Sequence, residues 1–138
     1  MDPNKGMGVR RADEQSSPAL SAEPTSRFLA GIDLIQAGEY FAAHEELETA
    51  WRAAAAEERD FLQGLVHVAV AWYQAGRGRR IGTERQLAKA MRRLAPYAPE
   101  HRGVELTPLL AQLQELSDRG SLDLPPPDLR LSTTLGDS

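Results

Sequence analysis

Residues 57–75, EERDFLQGLVHVAVAWYQA, decide the fold of this chain. A helix built from this stretch carries apolar side chains around most of its circumference, so other elements must cover it on nearly every side. Gly76 and Gly78 follow directly and are typical of a helix end. The stretch therefore predicts a central helix around which the remaining helices pack.

The rest of the chain predicts four further helices, because apolar residues recur at helical spacing and each segment has its own stop signal. Thr107 and Pro108 form a cap and first-turn pair for the last of them. No segment alternates with period two, so we expect no sheet. The predicted fold is an all-α, compact bundle of about five helices, over residues 26–37, 39–54, 57–75, 81–94 and 107–119.

The two ends of the chain differ in composition from its centre. Residues 1–25 contain few large apolar side chains and predict a disordered leader. Residues 120–138 include three consecutive prolines, Pro125 to Pro127, which forbid a helix and favour an extended tail. The helical domain is accordingly predicted to span residues 26–119.

Bulk composition excludes several classes of protein. The 138 residues carry a net charge of −4 and no cysteine, which rules out disulfides, thiolate metal sites and thiol nucleophiles. The longest apolar run, residues 65–73, is less than half of the roughly 20 residues that a membrane span needs. The amino terminus lacks the apolar segment of a secretory signal. We expect a cytoplasmic protein without a membrane partner.

The second predicted helix, EYFAAHEELETAWRAA at residues 39–54, has polar residues in its apolar stripe. At 100° per residue, His44 and Glu48 share a face with aromatic residues. On the third helix, Asp60, Gln63, His67 and Gln74 form a narrow polar stripe. If the stripes face each other, a buried polar cluster results. The predicted cluster comprises His44, Glu45, Glu48, Trp51, Arg52, Gln63 and His67.

Two hypotheses explain such a cluster. His44, Glu48 and His67 could ligate a divalent metal ion, or His44 and Glu48 could act as the catalytic acid and base of a small hydrolase. The other hypothesis is that these side chains satisfy one another and specify packing without chemistry. We favour the second, because structural ion-pair networks perturb ionisable groups just as active sites do.

Charge is distributed unevenly along the chain, with acidic residues concentrated at 39–60 and basic residues at 77–102. The basic region could bind an anion or an RNA backbone. We favour a solvated face instead, because the whole chain is acidic and no stacking aromatic residues are interleaved. No phosphate loop or dinucleotide fingerprint is present, so no nucleotide cofactor is implied. The anion-binding candidates are Arg77, Arg79, Arg80, Arg85 and Lys89, followed by Arg92 and Arg93.

Two stretches carry a family resemblance: FLAGIDLIQAGEYFAAHEELETAWR at residues 28–52 and RDFLQGLVHVAVAWYQAGRGR at residues 59–79. The chain resembles the bacterial and archaeal family named domain of unknown function 309. The resemblance implies a compact multi-helix bundle and no established activity. Where that family often has Gln and His, this chain has His67 and Gln74. The positions that match the family's polar landmarks are His44, Glu45, Glu48, Trp51, Arg52 and Gln63.

Our leading functional hypothesis is a non-catalytic structural or interaction domain, which could form a homo-oligomer through an exposed apolar face. A metal-binding protein or small hydrolase that uses His44 and Glu48 is the first alternative. Anion or RNA binding through the arginine-rich fourth helix is the second. The sequence identifies no small-molecule ligand.

Overall fold

The structure, a computed structural model, describes residues 17–132 and the side chains of residues 26–132. The elements are α1 (Ser17–Gln36), α2 (Tyr40–Ala53), α3 (Ala56–Gly76), α4 (Arg80–Leu94), a 3₁₀ turn (Ala95–Tyr97), β1 (Glu100–His101), β2 (Val104–Glu105), α5 (Leu106–Arg119) and β3 (Arg130–Leu131). The prediction of a compact five-helix bundle is confirmed. Within this described part, no helix is both long enough and apolar enough to span a membrane.

Helix α3 is the centre of the bundle, as its sequence predicts. It packs between α2 and α4, while α1 lies against α2 and α5 lies against α4. Three of the largest fully buried side chains, Phe61, Leu62 and Leu65, come from α3. They meet Phe28 of α1 and Leu94 of α4 in the main hydrophobic core. Burial of this helix is thus the principal source of stability.

Two glycines allow neighbouring helices to approach closely. A Cβ atom added at Gly31 would lie 2.6 Å from Leu47 Cγ, which joins α1 to α2. A Cβ atom added at Gly64 would lie 2.6 Å from Leu94 Cγ, which joins α3 to α4. Any side chain at either position would overlap a buried leucine, so the absence of a side chain sets the distance between these helix pairs.

Helix α1 begins nine residues before the predicted start. The backbone of residues 17–25 is helical, within the segment predicted as a leader. Backbone hydrogen bonds form along a helix whatever its side chains, so a helix can include residues of low apolar content. Residues 1–16 of the predicted leader and residues 133–138 of the predicted tail lie outside the described residues.

A small antiparallel sheet, in the order β1-β2-β3, contradicts the expectation of no sheet. His101 lies opposite Val104, and Val104 lies opposite Leu131. The turn between β1 and β2 passes through Arg102 and Gly103, whose φ angles are 51° and 82°. Each strand has two residues, too few for an alternating pattern to be visible in the sequence.

The proline-rich segment after α5 is extended, as predicted, and it lies against the bundle. Trp72 Nε1 donates a hydrogen bond to the carbonyl oxygen of Pro125 at 2.8 Å. Gln36 Nε2 donates to the carbonyl oxygen of Leu129 at 3.1 Å. Leu129 is buried, so residues 120–129 contribute to the core beyond the predicted domain boundary.

Candidate functional site

Between Asp60 and Gln74, helix α3 is buried except at Tyr73 and along one strip, which lies between α2 and α4. The strip residues are spaced three and four positions apart, so they form one face of the helix. All of them are half-buried except Asp60, which is exposed. The strip is Asp60, Gln63, His67, Val70 and Gln74. We call the surface formed by this strip and its neighbours on α2 and α4 the open face. Its residues on α2 are Phe41, His44, Glu45 and Glu48. Its residues on α4 are Ile81, Arg85, Gln86, Lys89 and Arg93.

Helices α2 and α3 run antiparallel along the open face. At one end the ring centroids of Phe41 and Tyr73 are 5.4 Å apart. At the other end the guanidinium of Arg59 lies 4.3 Å from the ring centroid of Trp51. Trp51 is half-buried and packs against the core, as an anchoring residue would. These two contacts set the register of α2 against α3 to within about one helical turn.

Helices α3 and α4 are also antiparallel, and polar side chains join them. Arg93 Nη1 lies 2.5 Å from Asp60 Oδ1. His67 Nδ1 lies 2.7 Å from Gln86 Oε1, and it donates the hydrogen bond in the tautomer that protonates Nδ1. The strip is therefore tied to α4 by an ion pair and a hydrogen bond, while Tyr73 and Arg59, beside the strip, contact aromatic rings of α2.

An apolar cavity opens between α2 and α3 at one end of the open face. It has a volume of about 180 Å³ and is lined by Phe41, His44, Val70, Tyr73 and Gln74. Phe41 is 51% exposed. It contacts the His44 ring at a centroid distance of 5.6 Å. Gln74 Oε1 is buried and has no hydrogen-bond partner among the described residues. The cavity thus combines apolar walls with one unsatisfied acceptor.

Three members of the predicted cluster form a network along α2. His44 Nε2 lies 3.4 Å from Glu48 Oε2, and Glu48 Oε1 lies 3.5 Å from Arg52 Nη2. The side chains of His44 and Glu48 are 25% and 39% exposed. These two side chains are therefore half-buried rather than fully buried. The reason is that α2 turns Ala43, Leu47 and Ala50 toward the core.

His67 lies on α3 but joins α4 rather than α2. Burial lowers its pKa, and the positive charges of Lys89, Arg93 and Arg92 lower it further, while the hydrogen bond with Gln86 acts in the opposite direction. His67 is therefore neutral near pH 7. Gln63, one turn earlier on the same strip, is half-buried.

The candidate metal ligands do not come together in the described structure. His44 and Glu48 are adjacent, whereas His67 is hydrogen-bonded across the other groove. Among residues 26–132, no three His, Asp or Glu side chains are grouped so that they could hold a metal ion. His44 and Glu48 alone supply two ligands, fewer than the protein ligands of typical zinc sites.

The remaining candidates lie on α2, on α4 and in the turn between α3 and α4. Glu45 is exposed, and its carbonyl oxygen accepts a hydrogen bond from Thr49 Oγ1. Among the anion candidates, the Arg77 guanidinium lies 5.6 Å from the Tyr73 ring centroid, and Arg80 donates to the carbonyl oxygen of Gly120. Arg79, Arg85, Lys89 and Arg92 are exposed.

The exposure of Phe41 is not evident from the sequence, because Phe41 belongs to the aromatic stripe of the second predicted helix. The same holds for Ile81, which is 65% exposed at the start of α4. The available signal was the i, i+4, i+7 spacing of Ala43, Leu47 and Ala50. This spacing defines a face of small and apolar residues that fits a close helix contact better than the aromatic stripe does.

Part of the chain matches a known family. Residues 28–86 match the model of a family described as "Domain of unknown function (DUF309)". The matched segment includes α2, α3 and the first part of α4, which are the three helices of the open face. No curated protein matches the chain.

Proposed function

We propose, from the membership of residues 28–86 in the domain of unknown function 309 family and from the geometry of the open face, that the chain is a non-catalytic interaction domain that self-associates through this face. The family description carries no activity, so the surface supplies the argument. The observation that carries the proposal is the half-exposed ring of Phe41 beside an apolar cavity.

Covering this end of the open face would be favourable. The exposed half of a phenylalanine side chain amounts to on the order of 100 Å². Removing that area from water is worth roughly 2.5 kcal/mol per copy. Ile81, at the start of α4, offers a second exposed apolar side chain. Each contact occurs twice in a homodimer, so two exposed apolar side chains per copy favour association.

Two carboxylates of the open face, Glu48 and Asp60, are already paired, which lowers the cost of covering this surface. Glu48 lies between His44 and Arg52, and Asp60 is paired with Arg93. Burying an unpaired charge costs several kcal/mol, whereas a paired charge can enter the rim of an interface with a smaller penalty. The open face can therefore be covered without burying these charges unpaired.

Sedimentation velocity of the full chain across a broad concentration range tests the proposal. We expect the wild type to form dimers and the Phe41→Ser variant to remain monomeric at the same concentrations. Leu29→Ser is the matched control, because Leu29 is 47% exposed on α1, which contributes nothing to the open face. Thermal melts would establish that both variants are folded.

The outcomes are distinct. A concentration-dependent dimer that is lost in Phe41→Ser and kept in Leu29→Ser supports the proposal. A wild type that stays monomeric at every concentration overturns it. An equal effect of the two substitutions also overturns it, because the contact would then not belong to the open face.

A further inference from the structure

We propose that the two copies are related by a two-fold axis parallel to α3, so that the acidic helix α2 of each copy lies on the basic helix α4 of the other. This arrangement rests on the self-association proposed above. It follows from three properties of the open face: the sign of charge on α2 and α4, the heights of their side chains, and the composition of the strip.

The two flanking helices carry opposite charge. Helix α2 contains three glutamates and one arginine, whereas α4 contains four arginines and one lysine against one glutamate. Glu45, Arg85 and Lys89 are exposed, and Glu48 is 39% exposed. A two-fold axis parallel to α3 exchanges the left and right sides of the open face. The acidic side chains of α2 in each copy therefore face the basic side chains of α4 in the other copy.

The heights of the apolar side chains match in this arrangement. Phe41 is level with Tyr73, because their rings are in contact. His67 is level with Gln86, so Tyr73, six residues further along α3, is level with Arg80 at the start of α4. Ile81 is the next residue, about 1.5 Å along the axis. A parallel two-fold axis preserves height, so Phe41 of one copy meets Ile81 of the other.

The charged residues follow the same register. Glu45 is four residues beyond Phe41 and comes level with residue 84, next to Arg85. Glu48 is seven residues beyond Phe41 and comes level with residue 87, two residues from Lys89. Each offset is less than about one helical turn along the axis, within the reach of long side chains. The contacts Glu45 to Arg85 and Glu48 to Lys89 occur twice in each dimer.

The alternative axis, perpendicular to α3 within the plane of the face, is electrostatically unfavourable. It would place α2 on the partner's α2 and α4 on the partner's α4, so that like charges face each other. Like-charge contacts of this kind are a means by which interfaces reject wrong arrangements. The charge pattern therefore selects the parallel axis.

The strip on α3 meets its own counterpart in the parallel arrangement. Gln63, Val70 and Gln74 are uncharged, and burial lowers the pKa of His67, so two neutral imidazoles approach each other. Asp60 is paired with Arg93 within its own copy. The centre of the contact therefore contains no unpaired like charges.

Single cysteines test the axis, because the chain has none of its own. Gln63 and Gln74 lie eleven residues apart, roughly 16 Å along α3. With a short bis-maleimide reagent, we expect Gln63→Cys and Gln74→Cys each to cross-link to itself with high yield, and a mixture of the two to give little mixed product. Leu29→Cys is the control and should stay uncross-linked.

Charge reversal tests the pairing. Glu48→Lys and Lys89→Glu should each weaken dimerisation by about tenfold or more at low salt, because each reversal acts twice. The double variant should return to within a few-fold of the wild type. Glu115→Lys is the matched control: it changes the charge equally and breaks a similar i, i+4 pair with an arginine, but on α5.

The outcomes separate this inference from the proposed function. Self-cross-linking at both strip positions together with rescue in the double variant supports the parallel axis. Cross-linking mainly in the mixture of Gln63→Cys and Gln74→Cys, in a dimer that Phe41→Ser still abolishes, overturns the axis and leaves the proposed function standing. A wild-type monomer overturns both.

Discussion

Replacing Gly64 by alanine should destabilise the protein, although alanine is the better helix former. The added Cβ would lie 2.6 Å from Cγ and Cδ2 of Leu94 and 3.3 Å from Cβ of Arg93. Leu94 is fully buried, so it has little room to move. Overpacking of this kind costs about 1–3 kcal/mol. The helix-propensity gain recovers about 1 kcal/mol. The difference is about 0–2 kcal/mol, and we expect a net loss near the middle of that range, about 1 kcal/mol, in the free energy of unfolding.

Urea unfolding followed by circular dichroism measures this loss as a lower midpoint with an unchanged slope. Gly76→Ala is the control, because no atom lies within 4 Å of a Cβ placed there, and it should be neutral or slightly stabilising. Adding Leu94→Ala to Gly64→Ala should cost less than the sum of the two single substitutions, since the new methyl group occupies part of the space that leucine vacates. A Gly64→Ala protein as stable as the wild type would refute this account of the contact between α3 and α4.

Three further predictions concern the tail, His67 and metal binding. Trp72→Phe should lower the unfolding free energy by about 1 kcal/mol in urea titrations by removing the hydrogen bond to Pro125, and an unchanged midpoint would contradict this role. Since the folded pKa of His67 is lowered, the unfolded chain binds more protons below about pH 6.5, so the unfolding free energy should fall more steeply between pH 7 and 5 in the wild type than in His67→Gln. If the unfolding free energies of the two proteins changed in parallel with pH, this expectation would be contradicted. Zn²⁺ should leave the melting temperature of the metal-free protein nearly unchanged, because His44 and Glu48 supply two ligands; a clear rise that His44→Ala abolishes would revive the metal hypothesis.

The helical architecture could be predicted from local sequence alone. Apolar residues surround the helix formed by residues 57–75, so its central position follows from burial irrespective of its neighbours. The polar residues Asp60, Gln63, His67 and Gln74 share one side of this helix because their spacing follows the helical period. Their common strip was therefore predictable, and the structure has them in one line.

Which side of each helix is buried could be decided only by the tertiary structure. Periodicity places residues on a face, but the rotation of a helix depends on the shape of the surfaces it packs against. Helix α2 turns Ala43, Leu47 and Ala50 inward, and Gly31 accommodates Leu47, so His44 and Phe41 are left at the surface. These close contacts pair residues distant in the sequence.

The small sheet and the position of the tail depend on the tertiary structure for the same reason. Leu131 pairs with Val104, and the carbonyl oxygen of Pro125 accepts a hydrogen bond from Trp72. Each contact joins residues more than twenty positions apart. The local sequence determined which segments are helical, because helix hydrogen bonds and apolar periodicity act within a few residues. Packing of the assembled bundle decided which surfaces are buried, because steric fit acts between segments that only the fold brings together.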